Sequence, residues 1–550
     1  MGYFFWCFVN TEKLLILIPA IKKNVAFEDD LVKKIAGVSL LQRSINLAKS
    51  LDIDSCDIFI LTDSEEIALI ANRNNVECYI DSKLIWNEDF FYKYIKSTLI
   101  NRFDYSVILS PYAPLLNKDI IINALKTLKD SKELILKPIL NLKRKLYINE
   151  DRPLYDTIFN YSSNKLTVES NAFLLLKNQL LQKKNNLNYK VLPWKISSRF
   201  TEINTFQDWW VCEKLIMRKR FVFRVIGNNE VGMGHIYRSL ALAHSITDHE
   251  IIFVCDFDNR VAVNELAGYD YRLEVFKKNE IIKNIIKLNP DLLVNDILST
   301  RNEDVVPFQD IGIKVVNFED LGEGALKADL TINELYENPH LVGKNIFWGH
   351  KYFFLREEFN NAKKHNFEKK IDQILLAFGG TDQLNLSSIC YHLIKDLCKK
   401  KNIIINIVTG PGYENFEKLK SEVSGNNLVT LTRSTGVISS IMEKSQIAII
   451  SNGRTVYELA HLNIPAIVIS QHEREETHEF AREKFGFIPI SIFKKDESEK
   501  KIFESLSILI EDVKFRKKLF EKTSKYDFSY TKDNVLNHVI ELLSIENNEE

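Results

Sequence analysis

The sequence predicts an α/β protein made of successive Rossmann-like units, and three observations carry that prediction. Apolar runs of about four to seven residues alternate with stretches of helical period along the whole chain, as expected of parallel strands joined by crossover helices. Several of those runs are followed at once by a glycine-bearing turn and a helical stretch, the usual exit of a parallel strand into its helix. At 550 residues the chain is also too long for one hydrophobic core, so two or three domains are expected.

The elements follow in order. In the first part the candidate strands are Leu14–Ile18, Asp57–Leu61, Ser106–Leu109 and Glu133–Pro138, with helical patterns at Leu40–Leu51 and Glu65–Asn74 between them. The apolar start Tyr3–Val9 is too short to span a bilayer and lacks a basic flank or a cleavage site, so it reads as a lead-in to the first strand. Gln207–Arg220 has helical spacing and ends in a basic cluster, and a new strand, Phe221–Ile226, follows. A second series runs through Ile251–Cys255, Asp291–Asn295 and Lys314–Asn317, breaking near 360–370. A third has strands at Ile374–Phe378, Ile403–Val408, Ile447–Ile450 and Ala466–Ile469. The expected domains are therefore 1–219, 220–366 and 367–550. The last two, as paired Rossmann-like halves of roughly 150 residues each, have the layout of a GT-B fold with a ligand cleft between them.

Composition narrows the function. The chain is 45% hydrophobic and 27% charged, as in globular proteins, and 73 Lys+Arg nearly cancel 74 Asp+Glu. Such a balance offers no electrostatic case for nucleic acid or an anionic membrane, and any phosphate site must be local. Seven dispersed cysteines (7, 56, 78, 212, 255, 390, 398) without a Cys-x-x-Cys pair read as reduced thiols of a cytoplasmic protein without a transmembrane segment.

Three strand-to-helix turns carry chemistry in the C-terminal region. In Gly232-Met-Gly234-His235-Ile-Tyr-Arg238 the glycines permit a tight turn, and the following helix start offers free N–H groups and a positive dipole end to an anion. His235 at that mouth could be a general base; a loop histidine that caps the helix is the equally weighted reading. Phe378-Gly379-Gly380-Thr381-Asp382 is a second such turn, weak by itself. The third, Ser451-Asn452-Gly453-Arg454-Thr455-Val-Tyr-Glu458, puts N–H donors, a hydroxyl and a guanidinium where a diphosphate would sit. Glu458, one turn into that helix, could accept both hydroxyls of a ribose or simply complement the helix dipole. Asp63, Glu65 and Asp296 stand at strand ends, where carboxylates are more often capping or surface groups.

With Pro290–Asp296 and Gly349-His-Lys-Tyr352-Phe-Phe-Leu-Arg356-Glu-Glu-Phe359 added, these stretches make residues 221–485 resemble the UDP-sugar hydrolases of pseudaminic acid biosynthesis and the related spore-coat polysaccharide proteins. The resemblance implies a GT-B fold related to the glycosyltransferase that makes lipid II, and attack of water on a UDP-sugar with UDP leaving. It implies His235 as catalytic residue and UDP held by Gly232, Gly234, Gly379, Gly380, Thr381, Asn452, Gly453, Arg454, Thr455 and Glu458. Arg238, Tyr352, Gln471 and His472 would contact the sugar, and no cofactor is implied for this region. One departure stands out: the family's Asn-Gln after the strand Ala466–Ile469 is Gln471-His472-Glu473 here, which bears on sugar specificity and on whether water is the acceptor.

The N-terminal region carries lysines on the loop that leaves its first strand, a placement that suits triphosphate but also a solvated loop. Ile18-Pro-Ala20, Lys33-Lys-Ile-Ala-Gly37, Leu61-Thr-Asp-Ser-Glu-Glu-Ile67 and Ser110-Pro-Tyr-Ala-Pro-Leu115 make residues 13–215 resemble the cytidylyltransferases that activate sialic and other nonulosonic acids. That implies a Rossmann-like nucleotidyltransferase domain and CTP bound by Lys22, Lys23, Lys33 and Lys34. It also implies Mg²⁺ at Glu202 and Asn204 and a homodimer through this domain. Here Ile21–Phe27 replaces the family's Arg-Gly-Gly-Ser-Lys, and Glu202-Ile-Asn204 its Asp-Ile-Asp. The expected whole is an enzyme of nonulosonic acid and surface glycan biosynthesis. The C-terminal region would release UDP from a UDP-2,4-diacetamido-2,4,6-trideoxyhexose, and the N-terminal domain would transfer CMP from CTP to a nonulosonic acid. The alternatives are a UDP-sugar-dependent GT-B glycosyltransferase with a divergent cytidylyltransferase-like domain, and a scaffold that retains the folds without turnover.

Overall fold

The computed structural model describes residues 13–22, 29–53, 55–84, 102–142, 147–149, 152–153, 166–179, 190–196, 202–228, 231–433, 436 and 438–544. Cys7, Lys23 and the apolar stretch Tyr3–Val9 lie outside them. The chain divides into two compact units, Met1–Arg218 and Lys219–Glu550.

The first unit is built on a mixed sheet. Its strands are β1 (Leu14–Pro19), β2 (Cys56–Thr62), β3 (Glu77–Ile80), β4 (Tyr105–Leu109), β5 (Ile135–Leu142), β6 (Leu166–Glu169), β7 (Phe173–Lys177) and β8 (Val191–Lys195). They run in the order β6-β5-β7-β4-β1-β2-β3, with β8 beside β5. β1 lies parallel between β2 and β4, and β7 enters antiparallel between β4 and β5. β1 is buried on both faces: Leu14, Ile16 and Ile18 pack with the helix residues Leu41, Ile45 and Ile121, and Leu15 and Leu17 with Leu61, Phe103 and Ile108. Ser39 and Asn117 accept from the third residue of the helices they precede, Leu40–Ser50 and Lys118–Asp130. Phe206–Ile216 opens with a Thr205–Asp208 capping box and ends before Arg220, which begins the next strand. The helical pattern read over Gln207–Arg220 thus stops four residues short, at the basic cluster.

The second unit holds two wholly parallel sheets. The first contains β9 (Arg220–Val225), β10 (Glu250–Asp256), β11 (Arg272–Phe276), β12 (Leu292–Asp296), β13 (Lys314–Phe318), β14 (Leu330–Asn333) and β15 (Ile346–Trp348), ordered β11-β10-β9-β12-β13-β14-β15. The second contains β16 (Gln373–Ala377), β17 (Ile404–Thr409), β18 (Val429–Arg433), β19 (Ile447–Ser451), β20 (Ala466–Ile469) and β21 (Phe487–Ile490), ordered β18-β17-β16-β19-β20-β21. In each the strand order reverses beside the first strand, which opens a crevice at the carboxyl ends of β9 and β12 and of β16 and β19. The two halves are tied together at the chain's end. Val535 and Val539 of the helix Thr531–Ser544 are buried in the core of the first half with Phe221, Phe253 and Leu292. This is an α/β chain with a GT-B-type pair of Rossmann-like halves.

Candidate functional site

The site grows from two strand-to-helix turns. After β9 the chain passes Gly232, whose φ of +79° is a left-handed backbone that glycine adopts without strain, and enters the helix Gly234–Ala243. After β19 it passes Gly453 and enters Thr455–His461. Both helix starts face a cleft of about 540 Å³ between the halves. Gly380, after β16, closes a third side; a Cβ there would lie 2.5 Å from the Cγ of Met233. Loops from the two halves therefore touch through a position that tolerates only hydrogen.

His235 lines this cleft at 4% exposure. Its Nδ1 lies 2.5 Å from Oδ1 of Asp296 at the end of β12. A carboxylate only accepts, so Nδ1 carries the proton, and in the neutral ring Nε2 keeps its lone pair. Arg238, one turn along the same helix, holds Asp296 through Nε at 2.9 Å, and Ser239 Oγ donates to the same carboxylate at 3.1 Å. Burial alone would raise the Asp296 carboxyl, but the charge of Arg238 and the hydrogen bond from His235 outweigh it and keep the group below its usual value.

Behind this dyad lies a buried ion network joining the halves. Arg238 also reaches Glu319 and Glu334; Arg454 donates to Glu334 at 2.6 Å and to the carbonyl of Phe354 at 2.8 Å. Arg474 donates to the carboxylate of Glu319 at 3.2 Å and to its carbonyl at 2.6 Å. Three guanidinium groups face three carboxylates, so the network is neutral while His235 is neutral. Desolvation would raise Glu319, yet His235, His478, Arg238 and Arg474 hold it well below the usual carboxylate range.

Several polar atoms on the cleft wall have no hydrogen-bond partner among the described residues. Glu458 gives one oxygen to Arg356 Nε at 2.9 Å, while its Oε2 is buried and unpaired. Thr409 Oγ1 and Gln471 Oε1 are likewise buried and unpaired. Buried polar groups are seldom left so unless a ligand or water completes them.

Of the residues expected to bind UDP, Gly232, Gly234, Gly379, Gly380, Thr381, Gly453, Arg454, Thr455 and Glu458 border this one cleft, as do Gln471 and His472. Three expected contacts do not. Arg238 is wholly buried and spends its donors on Asp296, Glu319 and Glu334, so it positions the dyad rather than touching sugar. Tyr352 packs with Phe347 against His538 of the last helix. The Asn452 side chain donates to the carbonyls of Glu475 and His478, bracing the loop. Asp296, which reads in sequence as a capping group, is fully buried beside His235; Arg356 stood within the Gly349–Phe359 stretch without an assigned role, and Glu319, Arg474 and Glu475 had no sequence signal. Asp63 accepts from the backbone N of Lys22 at 2.7 Å, and Glu65 begins a helix.

In the first unit Lys22 and Lys33 have separate partners. Lys22 pairs with Glu66 and Asp29, which raise its pKa, Glu66 contributing most. Lys33 lies 5.8 Å over the ring of Phe206, and Lys34 sits exposed on a two-residue strand. Lys23 lies outside the described residues. Glu202 Oε1 accepts from Ser170 Oγ and Asn171 N, and Asn204 Nδ2 donates to the Glu202 carbonyl. Among the described residues no group of three His, Cys, Asp or Glu is placed to hold a metal. No described helix is long and apolar enough to cross a membrane.

Fold and cleft together define the second unit as a GT-B-type pair of domains with a polar, arginine-bearing interdomain site. Relatives in sequence match about 45% of the chain. An uncharacterized protein of Methanocaldococcus jannaschii is 29% identical over 267 residues, and the chain spans about half of its length, 54%. The UDP-2,4-diacetamido-2,4,6-trideoxy-beta-L-altropyranose hydrolase of Campylobacter jejuni is 29% identical over 258 residues, 91% of its length. The spore coat polysaccharide biosynthesis protein SpsG of Bacillus subtilis is 25% identical over 259 residues, 76% of its length. Among solved structures, MurG of Acinetobacter baumannii aligns with a TM-score of 0.44 at 11% identity, over 59% of this chain and 99% of that one. A CMP:2-keto-3-deoxy-manno-octonic acid synthetase complexed with CTP aligns with a TM-score of 0.31 at 10% identity, over 37% of this chain and 98% of that one. No family model matches the sequence.

Proposed function

We propose that residues 219–550 hydrolyse a UDP-2,4-diacetamido-2,4,6-trideoxyhexose to the free sugar and UDP. The observation that carries this reading is the His235–Asp296 dyad at the start of a helix that borders the cleft, which in the neutral ring leaves Nε2 as the base. The diphosphate would lie between the starts of Gly234–Ala243 and Thr455–His461, against Arg454. The ribose hydroxyls would meet the unpaired Oε2 of Glu458. Nε2 takes a proton from water as its oxygen attacks the anomeric carbon; the bond from that carbon to the β-phosphate oxygen breaks, and UDP leaves with the electron pair. Asp296 then faces an imidazolium, which its negative charge stabilises.

The test is UDP release from that substrate without any acceptor, by wild type and by His235→Ala. Release that the substitution abolishes is the expected result. Release only on adding a hydroxyl-bearing acceptor would identify a glycosyltransferase instead. Residues 1–218 we assign, on their resemblance alone, to transfer of CMP from CTP to a nonulosonic acid, in which an acceptor oxygen attacks the α-phosphorus and pyrophosphate leaves. Pyrophosphate release that requires both CTP and the sugar acid checks it.

A further inference from the structure

The turn after β20 holds Gln471 and His472, and its hydrogen bonds fix what each side chain offers the cleft. His472 is the cap of the short helix Glu473–Glu476, and its Nδ1 accepts from the backbone N of Glu475 at 3.3 Å. An acceptor nitrogen carries no proton, so in the neutral ring Nε2 is the N–H donor. That nitrogen is 3.9 Å from the nearest carboxylate oxygen, Glu475 Oε1, beyond hydrogen-bond reach, on a side chain 42% exposed. Burial lowers the His472 pKa, which keeps the ring neutral. Gln471 is fixed the other way round. Its Nε2 donates to the carbonyl of Phe378 at 3.3 Å, its backbone N donates to Glu475 Oε2 at 2.7 Å, and its Oε1 is left buried on the cleft without a donor.

The wall thus presents an acceptor at depth and a donor nearer the surface. We propose that Gln471 and His472 together read a secondary amide on the pyranose, its N–H given to Gln471 Oε1 and its carbonyl oxygen taking the Nε2–H of His472. The proposal rests on the UDP-sugar reading above. An amide separates donor and acceptor onto two atoms on opposite sides of the group, which suits two wall groups at different depths. A hydroxyl would have to satisfy both from one oxygen, and a free amine, protonated near neutrality, has no acceptor for His472.

The experiment measures equilibrium binding in a His235→Ala background, so that the sugar is not consumed. The ligands are UDP, UDP-N-acetylglucosamine, UDP-glucose, UDP-2,4-diacetamido-2,4,6-trideoxyhexose and its 4-amino counterpart. Amide-bearing sugars are expected to bind roughly tenfold or more tightly than their hydroxyl or amine counterparts. Gln471→Met removes the acceptor at similar size, and His472→Asn keeps a capping side chain without the ring donor. Each variant should reduce the amide preference severalfold and leave UDP affinity within about twofold. Equal binding of amide and non-amide sugars, or a preference that survives in both variants, overturns the proposal while the UDP reading stands. Failure to bind UDP at all overturns that reading and the proposal with it.

Discussion

Asp296 and His235 are 61 positions apart in sequence and 2.5 Å apart in space, and their contact sets which histidine nitrogen is basic. Asp296→Asn keeps the size of the side chain but can present an N–H to the imidazole, which favours the wrong tautomer. It also leaves Arg238 buried with one charge partner fewer, at a cost of roughly 3–5 kcal/mol in the folded state. UDP release should fall by a factor of about 10³–10⁴, while UDP affinity in the folded fraction is retained. A variant that turns over normally would remove Asp296 from the mechanism.

Glu458 tests the nucleotide pose. One of its oxygens is held by Arg356 and the other is buried without a partner, so a ligand hydroxyl is the group that completes it. Glu458→Gln replaces a charged acceptor by a neutral amide and should weaken UDP roughly 10- to 100-fold, the value of about 1.5–3 kcal/mol for a charged hydrogen bond. The same substitution should affect 2′-deoxy-UDP far less. Equal losses for both nucleotides would place the ribose elsewhere.

What could be read in the sequence was local. β9, β12, β16 and β20 are runs of apolar residues closed by glycine or polar turns, and Gly232, Gly379 and Gly453 mark those turns whatever the rest of the chain does. His235 was legible for the same reason. Its partner was not, because a carboxylate at a strand end looks alike in sequence whether it caps a loop or lies beneath a histidine; only the adjacency of β9 and β12 decides it. Arg238 misled because it follows the motif by one turn, and a turn of helix carried it inward, where three carboxylates already stood. The short strands β11, β14 and β18 had weaker apolar runs and were missed; tertiary pairing, not propensity, makes them strands.

Gly380 and Met233 make the closed cleft sensitive to a single methyl group. The added Cβ of Gly380→Ala would stand 2.5 Å from Met233 Cγ and 3.0 Å from its Cβ. Met233 is buried and cannot swing away freely, so overpacking should cost about 1–3 kcal/mol and hold the two loops apart. UDP affinity should fall, and Met233→Ala in the same chain should recover part of the loss by removing Cγ. Urea unfolding and UDP titration of the single and double variants measure both effects. A double variant no better than Gly380→Ala alone would show that the contact is not the cause.

Glu475 gives the cleft a pH dependence with a definite sign. Desolvation raises its carboxyl from the ordinary 4.5 to about 7, despite the backbone N–H of Gln471 on one oxygen. Below pH 4.5 the folded and unfolded chains both hold the proton. Between 4.5 and 7 the unfolded chain releases it while the folded one keeps it, so this group's stabilising contribution is lost as pH rises across that window. The loss amounts to about 3 kcal/mol. Glu475→Gln has no proton to release and can still accept from Gln471 N, so its stability relative to wild type should rise between pH 4.5 and 7 and level off above. Urea unfolding of both proteins from pH 4 to pH 8 measures that difference, in which other titrating groups cancel. A difference that does not change with pH would mean that Glu475 is ionised throughout, and that the cleft is wetter at this wall than its burial implies.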